Sequence, residues 1–433
     1  MNKGDQEKHT SRFPRMALVR QRLSVDRIEN VPGVVKDQLA RLHLDELIQP
    51  GMRVAVTAGS RGIANIATVL ATTISQLKAH GAEPFVIPAM GCHGGAVAGV
   101  QAEILHSLGI TEAAVGCPII SSLDVVCIGE TPQGIPVFID RTAAQADGIV
   151  VINRIKPHTD FVGEIESGLM KMMAIGLGKY VGALNVHSHG IRLGLAVAIP
   201  AVARVVLSRC RILFGIALIE NAYHQLAQVV AIPSTAIEET EKTLLPEARR
   251  MMGHLPFDEL DILIVDEMGK EISGTGMDTK VIGRIRMAGS AEPDAPRIRR
   301  IVVRDLTDAT HGNAIGIGLA DFTTRRLVDK IDYHSTYINA VTAMCPERGY
   351  LPVVAETDRE AIEYALITIG AVDPQKSRVV RVANTLELEH FYVSESLLAQ
   401  IGDRIDMEQI SELEPLSFDE KGMLLSGPGH TGF

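Results

Sequence analysis

The sequence predicts an α/β protein built from two domains with mainly parallel sheets and an active-site cleft between the domains. Two observations support this prediction. Short apolar segments alternate with stretches of helical periodicity along the chain, which is the pattern of βαβ units and parallel sheets. The length of 433 residues also suits two domains, because a domain takes about 150 residues.

The first half of the chain repeats the strand–helix pattern. Strands are predicted at Met52–Val56, Pro84–Pro88, Ile135–Phe138, Gly148–Ile152 and Ile212–Ile219. Helices are predicted at Ile63–His80, Arg141–Ala146, Leu193–Leu207 and Pro233–Met252. The apolar stretch Leu193–Leu207 is shorter than the roughly 20 residues that span a bilayer, so it is expected to be a buried helix.

A boundary is predicted at Leu255–Leu260, so residues 1–255 would form the domain with the candidate site and residues 256–433 a second α/β domain that closes the cleft. The second half continues the pattern with strands at Asp261–Val265, Ile301–Val303, Leu351–Val354 and Val379–Val382, and with a helix at Asp358–Ile369. The first twelve residues are polar, and we expect a frayed leader rather than a secretory signal.

Composition excludes several classes of protein. The formal charge is −10, with 42 Lys and Arg against 52 Asp and Glu, which argues against nucleic acid or an anionic membrane as the main partner. The 5 cysteines are scattered and form no CxxC pair, which suits the reducing cytoplasm. Trp is absent and aromatic residues are 4%, so an aromatic platform for stacking bases is not expected.

The loop after the first predicted strand, Thr57–Gly62 (TAGSRG), is a candidate anion site. The backbone at Gly59 and Ser60 and the start of the next helix would point N–H groups at an anion. Arg61 adds a planar fork for phosphate or carboxylate. A plain turn with a surface arginine is the alternative, and the position at a strand's carboxyl end favours a functional role.

Two histidines follow later strands. His93 lies in Ala89–Gly95 (AMGCHGG), where glycines let the backbone approach a ligand closely. His158 lies in Lys156–Asp160 (KPHTD), where Asp160 could orient the imidazole as in a general base. For each histidine, a general base and a hydrogen-bonded structural residue are equally good interpretations of the residues alone.

The most informative stretch is Asn153–Gly190, which adds Lys171 among methionines and then His187 and His189. An amine in apolar surroundings loses its proton more easily and becomes nucleophilic. On a strand the two later histidines would share one face, and in a loop either could face a metal. Taken singly, an ordinary surface lysine and hydrogen-bonded loop histidines explain these residues better.

Further candidates lie in glycine-rich loops of the second half. Lys270 and Lys280 belong to or follow Glu267–Asp278 (EMGKEISGTGMD), and His311 lies in Thr310–Asp321 (THGNAIGIGLAD). Both loops could line a cleft, and both could equally be tight turns.

The ordered set of residues resembles the nickel-dependent lactate racemase family, whose members carry a nickel-pincer nucleotide. The resemblance rests on the glycine–histidine loop Met90–Gly95, on His158, and on Lys171 followed by His187. It covers most of residues 50–280. The chain departs from the family at Ala58, where the family has an acidic residue, and at Gly168–Lys171 (GLMK), where the family has Gly-Gly-Arg-Lys. Substrate identity thus stays open, and we expect a divergent branch that acts on another 2-hydroxy acid.

The resemblance implies a role for each candidate. His93 and His158 would be the acid/base pair, Lys171 would bind the cofactor covalently, and His187 would be the protein ligand of nickel. The cofactor or the substrate carboxylate would contact Gly59, Ser60 and Arg61, whereas Lys270 or Lys280 would polarise the substrate. No role is implied for His189 or His311.

The resemblance also implies a reaction. The cofactor would be pyridinium-3,5-bisthiocarboxylic acid mononucleotide nickel, which would accept hydride reversibly from C2 of a small 2-hydroxy acid while a histidine takes the hydroxyl proton. The enzyme would be a racemase or epimerase. Its partners would be the proteins that make the cofactor and insert nickel, its location the cytoplasm, and a homodimer is the default expectation.

Two other classes of function stay open from the sequence. The first is a non-enzymatic protein that binds a nucleotide or organic acid in the cleft, which predicts no adduct on Lys171. The second is a zinc-dependent lyase or hydrolase that uses His158 with His187 or His189. Fold alone does not separate these classes.

Overall fold

The computed structural model describes residues 13–425 except residues 61, 94, 96 and 403. The chain divides into two compact units. The N-terminal unit is Ser24–Met252, and the C-terminal unit contains Gly253 and the residues after it together with the described residues up to Leu23. The predicted division at residues 255 and 256 therefore needs a correction at the start of the chain, because the first strand pairs within the sheet of the C-terminal unit.

The strands, in chain order, are β1 (Arg15–Gln21), β2 (Arg53–Ala58), β3 (Glu83–Pro88), β4 (Val125–Glu130), β5 (Pro136–Asp140), β6 (Gly148–Arg154), β7 (Ile212–Glu220), β8 (Leu226–Pro233), β9 (Glu259–Met268), β10 (Arg297–Leu306), β11 (Phe322–Thr324), β12 (Val353–Ala355), β13 (Val379–Val382), β14 (His390–Ser394), β15 (Met407–Gln409) and β16 (Glu414–Pro415).

The α-helices, in chain order, are α1 (Val31–Ala40), α2 (Leu44–Leu47), α3 (Ile66–Ala79), α4 (Ala98–Ser107), α5 (Glu112–Val115), α6 (Arg141–Ala144), α7 (Leu169–Lys171), α8 (Lys179–Leu193), α9 (Leu195–Arg209), α10 (Ile237–Met251), α11 (Arg325–Asp329), α12 (Tyr333–Thr342), α13 (Asp358–Thr368) and α14 (Glu395–Ile401). A short π-helix, Met172–Gly176, continues α7.

The sheet of the N-terminal unit has the order β3-β2-β6-β7-β8. The first four of these strands are parallel, and β8 pairs antiparallel with β7. Residue Ala58 at the end of β2 lies opposite Pro88 at the end of β3, so the loops that follow these strands leave the sheet at one edge. The strands are apolar runs such as GIVVI in β6, whose residues Gly148–Ile152 are all buried, as expected for a parallel sheet covered on both faces.

The sheet of the C-terminal unit has the order β12-β11-β10-β9-β13-β14-β1-β15, and β16 also pairs with β1. The run from β12 to β13 is parallel, whereas β14, β1, β15 and β16 pair antiparallel. Alternate residues of β9 face opposite sides of this sheet. Leu263 and Val265 belong to one buried cluster, and Ile262 and Ile264 belong to the other.

The predicted α/β class with mainly parallel sheets is confirmed, and the predicted cleft between the domains stays a prediction. One strand has a different place from the one expected. The segment predicted at Ile135–Phe138 belongs to β5, which pairs antiparallel with β4 in a separate two-stranded sheet. Because β5 pairs with β4, the strand just before it in the chain, this short apolar run lies in the two-stranded sheet and not in the parallel sheet.

Within the described residues, no helix combines the length and the apolar character needed to cross a membrane. The predicted buried helix is α9, which contains Pro200 and whose buried residues include Leu195, Ile199 and Val206.

Candidate functional site

The candidate site is built at the carboxyl edge of the parallel sheet in the N-terminal unit. Ser60 follows β2, His93 follows β3, and His158 follows β6. Loops at this edge of a parallel sheet are the usual place of a ligand site. The loops after β2 and β3 meet, because the Ser60 hydroxyl contacts Nδ1 of His93.

The loop that carries His93 is held by Gln101 from α4. The Gln101 side chain is fully buried, and its Nε2 donates to the carbonyl of Gly91 at 3.2 Å and to the carbonyl of His93 at 3.0 Å. The imidazole of His93 is exposed. An exposed ring on a fixed backbone can meet a ligand without a change in the fold.

His158 is buried, with 7% of its surface exposed. Its ring stacks on Phe161 with the ring centroids 4.7 Å apart. The backbone N–H of Asp160 donates to His158 Nδ1 at 3.0 Å, and the nearer Asp160 carboxylate oxygen lies 3.8 Å from the same nitrogen. The predicted orientation of this imidazole by Asp160 therefore comes chiefly from the backbone.

A buried acid that the sequence reasoning missed fixes the His158 loop. Glu166 is 1% exposed, and its carboxylate accepts from the backbone N–H of His158 at 2.6 Å and from that of Gly163 at 3.0 Å. Arg249 of α10 donates to the same carboxylate at 2.6 Å. A buried carboxylate needs such partners, so the loop is closed around Glu166.

Lys171 ends α7 and lies against His158. The distance from Lys171 Nζ to His158 Nε2 is 2.5 Å. The start of α7 is capped from another helix, because Glu241 of α10 accepts from the backbone N–H of Met170 at 3.0 Å. Burial raises the pKa of Glu241 to about 7, and the N–H of Met170 opposes that rise. Glu241 is the second acid that the sequence reasoning missed.

Glycines allow the His93 loop and the β2 loop to pack on the π-helix. A Cβ atom on Gly176 would lie 2.5 Å from Met172 Sδ and 2.7 Å from the carbonyl oxygen of Ala89. A Cβ atom on Gly59 would lie 3.3 Å from Met172 Cε. The three segments therefore meet at the turn that follows Lys171, and Gly59 contributes close approach, whereas an anion at Gly59 and Ser60 stays a prediction.

His187 and His189 lie on a helix, α8, and not on the strand or loop that the sequence analysis considered. Residues two apart on a helix point to different sides. His189 Nδ1 bonds to the carbonyl of Asn185 at 2.9 Å. Among the described residues, Nδ1 of His187 is buried and has no hydrogen-bond partner.

The electrostatic surroundings of His187 connect it to the rest of the site. Burial lowers the pKa of His187, a positive charge on Lys171 would lower it further, and Asp160 opposes both effects. At neutral pH the imidazole is therefore neutral, which is the form that binds metals. A buried nitrogen without a hydrogen-bond partner carries a free-energy penalty. A ligand that bonded to Nδ1 of His187 would remove this penalty, which would favour its binding.

Three predicted site residues remain, which are Arg61, Lys270 and Lys280. Arg61 lies outside the described residues. Lys270 and Lys280 belong to the C-terminal unit, where Lys270 Nζ donates to Asn339 Oδ1 at 2.6 Å and the backbone N–H of Lys280 donates to Asp278 Oδ1 at 2.9 Å. Their role with a substrate stays a prediction.

A buried ion pair also fixes the site. Lys179 begins α8 with a φ of 53° and is fully buried. Its Nζ lies 2.9 Å from a carboxylate oxygen of Asp140 and donates to the carbonyl of Pro88 at the end of β3. Burial lowers the pKa of Lys179, and Asp140 opposes that effect. The start of the His187 helix is thereby connected to the strand that precedes His93.

Over the part of the chain that the structure describes, no three His, Cys, Asp or Glu side chains form a group that could hold a metal ion. A catalytic zinc site usually has about three protein ligands, and the zinc-dependent alternative stays a prediction. A metal whose other ligands come from a cofactor needs fewer protein ligands, and His187 offers one.

The fold and the site define an α/β protein with a lysine, a buried histidine and two further histidines gathered around the carboxyl edge of a parallel sheet. Residues 16–193 match the family described as the lactate racemase N-terminal domain. Residues 16–193 are therefore similar to the N-terminal domain of lactate racemases. Among curated proteins, none matches the sequence significantly.

Solved structures share the fold. The lactate racemase apoprotein from Thermoanaerobacterium thermosaccharolyticum matches with a TM-score of 0.53 and 14% identity, over 87% of this chain and 95% of that chain. A Thermotoga maritima protein from a structural genomics programme matches with a TM-score of 0.52 and 14% identity, over 85% of this chain and 99% of that chain. At this identity the likeness concerns the fold alone.

Proposed function

We propose that the protein is a racemase or epimerase that inverts C2 of a small 2-hydroxy acid with a nickel-pincer nucleotide. One observation carries the proposal. Lys171 lies 2.5 Å from His158, on a segment that also packs against the loop of His93. A nucleophilic amine beside two imidazoles on different loops is the set of groups that a covalently held cofactor and two proton transfers need.

The residues that fit the cofactor are Lys171 and His187. The amine of Lys171 would hold the cofactor through a thioamide. The buried Nδ1 of His187 lacks a partner among the described residues, and a single neutral imidazole suits a metal whose other ligands are soft sulfur atoms. When bound, the cofactor would supply a reversible acceptor for the hydride of substrate C2.

The chain itself would move the hydroxyl proton. His158 is held in place by its stack on Phe161 and by Glu166, so its ring would meet the substrate in one orientation. His93 is exposed on the loop after a different strand. Two bases that approach from different loops can serve opposite faces of C2, and inversion requires a proton to leave on one face and return on the other. Arg61 would hold the carboxylate or the cofactor phosphate, and Lys270 or Lys280 would polarise the substrate.

The proposal implies partners that make the cofactor and insert nickel, and a cytoplasmic location. The protein is therefore co-expressed with cofactor-making enzymes, then analysed by intact and peptide mass spectrometry and by metal analysis. We expect an adduct on Lys171 with one nickel per chain. An unmodified Lys171 peptide, recovered while a control racemase loads in parallel, would contradict the proposal and favour a binding protein.

The acid/base roles are tested on the loaded protein with single enantiomers of 2-hydroxy acids and chiral chromatography. We expect His93→Ala and His158→Ala each to abolish inversion, because each removes the base for one face. Wild-type racemisation in either variant would show that the role assigned to that histidine is wrong.

A further inference from the structure

The contact between His158 and Lys171 determines where the imidazole carries its proton. The backbone N–H of Asp160 donates to His158 Nδ1 at 3.0 Å. A backbone amide can only donate, so Nδ1 presents its lone pair. A neutral imidazole then carries its proton on Nε2, and Nε2 is the atom that lies 2.5 Å from Lys171 Nζ.

This proton position constrains the amine. A lysine ammonium offers three donors and no acceptor. An ammonium facing Nε2–H would set donor against donor at hydrogen-bond distance, whereas a neutral amine accepts from Nε2–H. An ammonium could donate to Nε2 only if that nitrogen were bare, and with Nδ1 already an acceptor the ring would have to be an imidazolate. The hydrogen-bond pattern is therefore satisfied by a neutral Lys171.

The surroundings act on the same equilibrium. Met170 and Met172 on either side of Lys171 are buried, and apolar surroundings disfavour an ammonium. Lys171 and Asp160 both act on the pKa of His187 from α8, and Glu241 from α10 accepts from the backbone N–H of Met170, next to Lys171. The Asp160 carboxylate favours a nearby cation, whereas the Asp160 backbone N–H selects the imidazole tautomer that opposes one.

We propose that His158 holds Lys171 as a neutral amine in the unloaded protein and thereby enables the chain to form its own covalent bond to the cofactor. The nature of the captured carbon, a thiocarboxyl carbon, rests on the proposed function. The neutral amine rests on geometry alone. His158 thus has a role in cofactor attachment that precedes any role in proton transfer with a substrate.

The attachment is a condensation without oxidation or reduction. Rotation about the Cε–Nζ bond frees the lone pair, and Nζ forms a C–N bond to the thiocarboxyl carbon. The bond from that carbon to the hydroxyl oxygen of the thiocarboxylic acid breaks, and the sulfur stays on the carbon as the thioamide sulfur. His158 Nε2–H gives its proton to the departing hydroxyl and takes one from Nζ, so water leaves and the imidazole ends in its starting state.

The test measures the reactivity of Lys171 in the unloaded full-length protein. Trace acetylation with acetic anhydride from pH 6 to 10, followed by peptide mass spectrometry, gives a pH profile for each lysine. Exposed Lys36 is the internal reference. We expect the midpoint of the Lys171 profile to lie at a lower pH than the midpoint for Lys36, by about one pH unit or more. One pH unit corresponds to about a tenfold difference in the fraction of free amine at a given pH.

Two variants separate the proposed role from a general effect of burial. In His158→Gln the amide can turn its carbonyl toward Nζ and accept from an ammonium. The midpoint of the Lys171 profile should therefore move to higher pH, toward that of Lys36. His189→Gln is the matched control, because it makes the same change on a histidine that bonds to Asn185 instead. It should leave the Lys171 profile in place, and circular dichroism checks that both variants fold.

Selective 15N labelling of histidine provides a second readout, since the signal lost in His158→Gln should have a protonated Nε2 and a bare Nδ1. The proposal is overturned if Lys171 titrates with Lys36, if it cannot be acetylated at any pH, or if His158→Gln leaves its profile unchanged. An early-reacting Lys171 in a protein that never loads cofactor would count against the proposed function and not against this inference.

Discussion

Glu241 makes the stability of the N-terminal unit depend on pH in an unusual direction. Its side chain is 1% exposed, one carboxylate oxygen accepts from the N–H of Met170, and the other is buried without a hydrogen-bond partner among the described residues. Burial raises its pKa from 4.5 to about 7. The fold therefore favours the protonated acid, whose hydroxyl no longer needs the solvation that a carboxylate needs.

The sign and size of the effect follow from that shift. Between pH 4.5 and about 7 the folded chain holds a proton that the unfolded chain has lost, so stability falls as pH rises through this window. One pKa unit corresponds to about 1.4 kcal/mol. The full shift therefore lowers the free energy of unfolding by about 3 kcal/mol. This loss of stability is absent below pH 4.5 and complete above about pH 7.

The test is Glu241→Gln, because glutamine resembles the protonated acid and keeps an oxygen for Met170. Urea unfolding is followed by circular dichroism at pH 5, 6, 7 and 8, since the chain has no tryptophan. We expect the variant to gain about 2–3 kcal/mol relative to the wild type between pH 5 and pH 8. Hydrogen exchange of peptides that cover Gly168–Gly176 should report the gain at α7.

The matched control is Glu239→Gln on the same helix, whose side chain is 78% exposed. Its unfolding free energy should stay parallel to that of the wild type over the same pH range. If Glu241→Gln also stays parallel to the wild type, or loses stability as pH rises, the reasoning about the buried carboxylate is wrong.

Two further variants test the ion pair and the ligand nitrogen. Lys179→Met leaves Asp140 buried without its cation and should lower the free energy of unfolding in urea by about 3–5 kcal/mol. Adding Asp140→Asn should recover part of this loss. An unfolding free energy for Lys179→Met that equals that of the wild type within experimental error would contradict the argument. In protein co-expressed with the cofactor-making enzymes, His187→Ala should lower bound nickel while mass spectrometry still detects the Lys171 adduct. His189→Ala should keep both, and full nickel in His187→Ala would remove His187 as the ligand.

The parallel sheet could be predicted because its strands are short apolar runs. The run in β6, for example, is buried along Gly148–Ile152, and such runs need no knowledge of their partners. The place of Ser60, His93 and His158 at one edge follows from that topology, since parallel strands end on the same side. The first strand, β1, was not foreseen, because its partners β14 and β15 lie almost a whole chain length away.

The helix that carries His187 is hard to predict from the sequence, because glycines lie within it. Gly182 and Gly190 lie within α8, and a side chain at Gly190 would clash with Leu195, whereas one at Gly182 would make an ordinary contact. A Cβ atom on Gly190 would lie 2.5 Å from Leu195 Cδ2, and one on Gly182 would lie 3.6 Å from Phe138 Cβ. Glycine costs about 1 kcal/mol in a helix, and the contacts of the helix with its neighbours outweigh that cost here.

The contact between His158 and Lys171 depends on the path of the chain between these two residues. Their separation of thirteen residues in the sequence does not reveal that the chain folds back on itself there. Lys156 and Ser167 form an antiparallel bridge, with N–H···O distances of 3.0 and 3.1 Å in the two directions. Glu166, next to this bridge, binds the N–H of His158. The bridge brings the start of α7 back to the base of the His158 loop, and the buried acid fixes the histidine above it. The distance between amine and imidazole therefore follows from a closed loop around Glu166, a residue whose sequence context (GEIESG) looks like that of any surface acid.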